Sequence, residues 1–379
     1  MVSPCPTVVV GAGPAGLASA ACLRRLGIDS TVLEAGPDVG TSWRNHYRRL
    51  HLHTVKEHSA LPGLPFPADA PRYPSRDDVV AYLDAYARRF GIQPRTNEPV
   101  RRVSFVDGGL SVETANAVYR TRIVVVAAGI NRIANRDRLP DQSLFDGPVI
   151  HATGYQDGAP FAGQRVLVVG AGNTGAEIAL DLVEHGATPT LSVRTPVNIV
   201  RRDFLGIPAQ VTSIRMRWVP IAVGDRIGRL VSRLAFGNLT RYGLLRPALG
   251  PLSSIALRGR IPIIDVGTVG AIKRGAITVK PAVTKLTSTG AVFADGTSGT
   301  FDAVVMATGY RAGLTDIIDI PGVLDSDGYP KSWKADGSGR GLYFVGYDNV
   351  ATGLLREIGR QAENVADDVA TTVRPPGTD

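Results

Sequence analysis

The sequence predicts an α/β fold of two three-layer (ββα) domains, the first split by insertion of the second. Three observations carry that expectation. One unit of strand, glycine turn, helix and strand occurs twice, opening at Thr7 and again at Arg165. The opening strands of both units are unbroken apolar runs, the pattern of parallel strands buried on both faces. Two further apolar runs, 301–310 and 341–346, each reach a glycine late in the chain and read as strands returning to the first sheet. A chain of 379 residues also exceeds what one hydrophobic core usually serves.

The elements follow in order. Thr7–Val10 reads as a buried strand, Gly11-x-Gly13-x-x-Gly16 as a turn, and the Ala/Leu-rich stretch after it as a helix stopping at Gly27. A second strand, 30–33, delivers Glu34. Gly11 permits the tight turn, Gly13 lets the backbone approach a pyrophosphate, Gly16 lets helix pack on strand, and Glu34 accepts from ribose hydroxyls. Pro14 suits a first helical turn. This is a Rossmann-type dinucleotide fingerprint.

The second unit runs through strand Arg165–Val169, then Gly170-x-Gly172-x-x-Gly175 with Asn173 and Thr174 opening the helix, then strand 190–193. It ends in Arg194, followed by Arg201 and Arg202, where an NAD site would carry a carboxylate. A guanidinium pairs bidentately with a 2′-phosphate, so this site is assigned to NADPH, with Arg194 and Arg201 as phosphate ligands. Two nucleotides on one chain imply hydride passing from nicotinamide to a flavin. FAD belongs in the first site, to which the chain returns through Gly309 and Gly346. A helix starting near Thr352 then aims its positive end at the flavin. The expected boundaries are 1–145 and 301–379 for the FAD domain and 146–300 for the NADPH domain, with a helical insertion at about 204–257.

Composition narrows the class. With 44% hydrophobic and 20% charged residues the chain is an ordinary globular protein. Cys5 and Cys22 are the only cysteines and form no CxxC, which excludes a dithiol relay and fits a reducing cytoplasm. The N-terminus reads as a strand rather than a signal peptide, and no run of about 18 apolar residues predicts a membrane span. The net charge of +8 comes without an aromatic-interleaved basic motif, so an anionic cofactor rather than nucleic acid is its expected partner. His46, His51, His53 and His58 cluster without an acidic partner, and no metal is expected. The tail after Val373 is expected to fray.

Between the fingerprints stands Phe145-x-Gly147-x-x-x-His151-x-x-x-Tyr155. It resembles the FxGxxxHxxx(Y/F) signature of class B flavin-containing monooxygenases. Ser42-Trp43-Arg44, 50–53, Tyr73-Pro74-Ser75, 262–267 and 303–310 make the chain similar to their YUCCA-type members over nearly its whole length. The resemblance implies FAD, NADPH and O2, a flavin C4a-(hydro)peroxide, and one oxygen atom inserted into a small molecule. Plant members decarboxylate indole-3-pyruvate. It also implies that Trp43 and Arg44 lie at the FAD and that His53 stands near the flavin. His53 and Asn131 are the candidate catalytic residues. Ala128 replaces the usual Thr of the linker segment, and Tyr155 stands where Baeyer–Villiger enzymes carry Trp. N- or S-oxygenation, or flavin reduction without oxygen insertion, stay open as alternatives. For 204–257 the open roles are helices packed on their domain, a lid offering Arg to a carboxylate, a membrane-surface face, or a contact in a homo-oligomer.

Overall fold

The structure is a computed structural model describing residues 2–4, 7–335 and 341–373; Cys5 and the tail from Arg374 lie outside the described residues. The principal elements are β1 (Thr7–Val10), α1 (Pro14–Arg25), β2 (Thr31–Leu33), α2 (Arg76–Arg89), β3 (Ile123–Val126), β4 (Val149–His151), β5 (Arg165–Val169) and α3 (Asn173–Glu184). They continue with β6 (Thr188–Ser192), α4 (Ala209–Arg215), α5 (Ile221–Phe236), α6 (Pro251–Arg258), β7 (Thr278–Lys280), β8 (Ala303–Met306), β9 (Leu342–Phe344) and α7 (Leu354–Val373).

Two parallel sheets organise the chain. The first has the order β9-β3-β1-β2 and the second β7-β6-β5-β8-β4. Strand side chains alternate between faces, and both sides are apolar because both are covered. In the first sheet Val9, Val125 and Tyr343 pack with α1, α2 and α7. Val8, Val10, Val124 and Val126 point the other way, onto Val103, Leu110 and Val112 of an antiparallel meander. The second sheet repeats the plan: Val166, Val168 and Val305 face α3, while Leu167, Val304 and Met306 face the antiparallel strands Val283–Thr287 and Gly290–Phe293. Both halves therefore have the ββα layering that the sequence predicts.

One expectation is corrected. The run 301–310 was assigned to the first sheet, but β8 lies between β5 and β4 in the second. Gly309, expected at the FAD, therefore follows a strand of the other half. A buried apolar run fits either parallel sheet equally, and the local sequence carries no mark of its partner strand. The chain re-enters the first parallel sheet only at β9.

The insertion also takes up an unforeseen position. Gln210 of α4 is buried; its side-chain oxygen accepts from the Val55 backbone at 2.9 Å and its amide donates to the Thr352 carbonyl at 2.8 Å. Thus helices interrupting the second half are fastened to loops of the first.

Candidate active site

A cavity of about 1380 Å³ runs from the first glycine turn to the insertion. Typical single-ligand pockets are roughly 300–1,000 Å³, so this one has room for more than one partner. At one end lie Gly11, Gly13 and Glu34, at the other Phe204, Ile207, Met216, Ile227, Val231 and Ile255. Gly346 and residues 350–355, leading into α7, line it as well.

The three glycines of the first turn differ in what surrounds them. Gly11 has φ +106°, a backbone that side-chain-bearing residues rarely adopt. A Cβ on Gly16 would strike the Gly11 carbonyl oxygen, whereas one on Gly13 would meet nothing within 4 Å. Only Gly13 opens onto empty space, at the N-cap of α1, where unpaired N–H groups and the helix dipole favour an anion. Glu34 fixes this loop: its carboxylate accepts from Ala12 N at 2.7 Å and Gly36 N at 2.9 Å. The second turn repeats the arrangement: Gly175 abuts the Gly170 carbonyl and Gly172 faces open space. These residues fit two dinucleotides.

Around the first turn, Trp43, His46, His53 and Asn131 line the cavity. Arg44 does not; it pairs with Asp84 of α2 at 2.6 Å, a role its neighbour Trp43 does not disclose. Around the second turn Asn173 and Arg201 line the cavity. Asn173 is already engaged, accepting from Ile264 N at 2.7 Å. Thr174 is half-buried in the first turn of α3. Arg194 is exposed just past β6 and makes no ion pair among the described residues. Arg202 stacks on Tyr73 with its guanidinium 3.9 Å from the ring centre.

One residue at the junction of the halves was missed. Glu177 of α3 is buried, and its Oε1 lies 2.7 Å from His53 Nε2. Burial and this carboxylate push the nearby Tyr47 hydroxyl well above its ordinary range. Two turns further along α3, Glu184 accepts twice from Arg49 at 2.8 Å. Between them Asp181 accepts from the buried Tyr155 hydroxyl at 2.6 Å. Glu177, Asp181 and Glu184 recur at helical spacing on one face; that pattern was legible in the sequence, although on a dinucleotide-site helix it reads as solvated.

The eleven-residue motif proves to be largely a packing device. Phe145 lies in the core behind the second sheet. Gly147 has no room for a Cβ against the Asp302 carbonyl, and Tyr155 anchors to α3. His151 ends β4 and meets Tyr310 edge-on at 5.4 Å. Among the described residues no cluster of three His, Cys, Asp or Glu side chains could hold a metal.

Comparison with known proteins decides the family. A pyridine nucleotide-disulphide oxidoreductase family model matches residues 8–204. Indole-3-pyruvate monooxygenase YUCCA1 of Oryza sativa subsp. japonica is 39% identical, spanning 96% of this chain and 90% of its own. Indole-3-pyruvate monooxygenase YUCCA6 of Arabidopsis thaliana is 38% identical over 94% of this chain and 89% of its own. This chain belongs to the YUCCA-type flavin monooxygenases. The YUCCA-type enzyme described here is accordingly an FAD- and NADPH-dependent monooxygenase that uses O2 and a small-molecule substrate. A mutant of the flavin monooxygenase from Stenotrophomonas maltophilia superposes with TM-score 0.75 at 25% identity, covering 98% of this YUCCA-type chain and all of its own. A bacillithiol disulfide reductase from Bacillus cereus shares the fold, with TM-score 0.70 at 19% identity over 98% of this chain and 100% of its own. The fold thus serves reductases and oxygenases alike.

Proposed function

We propose that this monooxygenase oxidatively decarboxylates an aryl 2-oxo acid, with indole-3-pyruvate as the leading candidate. The observation that carries this reading is the far wall of the cavity. It is apolar, with Phe204, Ile207, Met216, Val231 and Ile255, and carries no carboxylate; of its two cations, Arg201 and Arg217, Arg217 is the one not assigned to NADPH. Such a wall suits a flat apolar anion and opposes a cationic amine. The names of the two relatives support the same substrate.

In the proposed site Gly11, Gly13, Gly16, Glu34, Trp43 and Gly346 hold FAD. Gly170, Gly172, Asn173, Thr174, Gly175, Arg194 and Arg201 hold NADPH. Bound FAD supplies acceptance of hydride from NADPH and activation of O2. The side chains align and enclose: α1 and α3 present their N-termini to the pyrophosphates, and the insertion keeps water from the apolar end. His53, 2.7 Å from Glu177, sets the first half against α3, and Asn131 borders the same space. Per turnover, one oxygen atom of O2 enters the carboxylate product and the other leaves as water, with CO2 released and NADPH and a proton consumed. A free thiol at Cys22 supports a cytoplasmic setting.

The test is turnover of the FAD-loaded enzyme with NADPH and isotopically labelled O2. One labelled oxygen in an aryl acetic acid, formed with equimolar CO2, is the expected outcome. NADPH oxidation yielding only hydrogen peroxide with aryl 2-oxo acids, but labelled product from a thioether or amine, would overturn the substrate reading.

A further inference from the structure

The helices that wall the cavity carry an outer face with no part in the site. Of the fourteen large apolar side chains exposed among the described residues, eleven fall within 205–261; Ile207, Ile221, Ile227 and Ile261 line the cavity, and the other seven do not. On α5, Val223, Ile227, Leu230 and Leu234 form one stripe at helical spacing and are 41%, 44%, 58% and 73% exposed. The apolar stripe of a surface helix ordinarily faces the core. Here only Ile227 belongs to the cavity wall, and the other three do not line it. Trp218 is 82% exposed beside them in sequence, and Leu257 of α6 is 73% exposed.

Charge marks the same segment. Residues 204–261 hold nine arginines, no lysine and one carboxylate, Asp225, so the segment carries the whole net charge of +8. Asp225 is buried and accepts from the backbone of Leu252 and Ser253, which withdraws it from the field. None of the nine arginines forms an ion pair among the described residues, although thirteen other basic side chains do, not counting histidines. Exposed leucines flanked by unpaired arginines are the makeup of an interfacial helix, whose apolar face enters the acyl boundary while guanidinium groups reach the headgroups.

We propose that this face docks the enzyme peripherally on an anionic lipid surface. A second copy fits poorly, since a two-fold contact would set unpaired arginines against their own kind. A nucleic acid would leave the aliphatic stripe without a partner. Docking would bring α5 to the lipid boundary with Gly224, Gly228 and Val231 facing the cavity. No described helix is long and apolar enough to cross a membrane, so the contact is with the surface alone.

The experiment is flotation of the FAD-loaded enzyme with vesicles of phosphatidylcholine alone or mixed with phosphatidylglycerol, at low and high salt. Binding to the anionic vesicles, weakened by salt and at least about tenfold lower on neutral ones, is expected. Leu230→Ser/Leu234→Ser and Arg226→Gln/Arg233→Gln should each lower that binding about tenfold or more, while NADPH-driven flavin reduction in solution is unchanged. Absence of vesicle binding, binding that both variants retain, or retention on heparin without vesicle binding would overturn the proposal. So would a dimer by sedimentation velocity that dissociates in the leucine variant and excludes the vesicles.

Discussion

At the residue scale, glycines that look alike in sequence separate by what a methyl group would meet. Gly13→Ala puts its Cβ into open space, so the protein should fold normally and lose FAD, read as colourless protein with an unchanged circular dichroism spectrum. Gly16→Ala drives its Cβ into the Gly11 carbonyl and should impair folding itself. A yellow, fully loaded Gly13→Ala protein would refute the cradle. Arg194→Ala should weaken NADPH by about 1.5–3 kcal/mol, the worth of one charge-assisted contact, and so by roughly ten- to a hundredfold with NADH little affected. Equal losses for both cofactors in initial-rate measurements would remove Arg194 from the phosphate site. Cys22 of α1 is buried against α7, and burial first, then Glu363, pushes its thiol up to about 12. In a Cys5→Ser background it should resist maleimide at neutral pH until the protein unfolds; prompt labelling of folded protein would contradict that burial.

Among the elements, α3 does two jobs at once. Its N-terminus carries the second glycine turn, while Glu177 lies 2.7 Å from His53 and Asp181 and Glu184 accept from Tyr155 and Arg49. A buried carboxylate costs free energy unless it is partnered, so the contact with His53 ties the alignment of the two halves to this helix. Glu177→Gln keeps the shape and removes the charge. It should destabilise the protein by about 1–3 kcal/mol in urea unfolding and slow flavin reduction by NADPH while leaving NADPH affinity nearly constant. Loss of NADPH affinity with an unchanged reduction rate would instead place Glu177 in cofactor binding. The insertion follows the same logic: α4 is fastened to the first half by Gln210, so it can close a cavity that belongs to neither half alone.

For the whole molecule, acid sensitivity follows from two half-buried histidines. Burial, helped by Arg76, holds His46 below its ordinary 6.5. Burial, helped by Arg136, does the same to His151. The unfolded chain then binds more protons than the folded one below that value, so stability falls as pH drops through the window between the unfolded and the lowered folded pKa. Carboxylates held down by arginine, Glu184 and Asp302 among them, lose their contribution only below their ordinary 4.5 and 3.8. Tm should therefore decline as pH falls from about 7 through the ordinary histidine range, with His46→Gln flattening part of the slope. A Tm constant across that range would count against the burial of these rings.

Much of this protein was settled locally. Strand, turn and helix lie within some thirty residues of one another, so both glycine turns, the layer plan and the likeness to the family were legible from adjacent residues such as Gly13 and Gly172. The structure alone decided what depends on partners distant in the chain. β8 joined the second sheet because an apolar run does not encode its neighbour, Arg44 turned to Asp84, and Glu177 met His53 across the junction. The outward stripe of α5 has the same origin. Periodicity gives a helix its apolar side, but which way that side faces depends on what tertiary packing leaves uncovered.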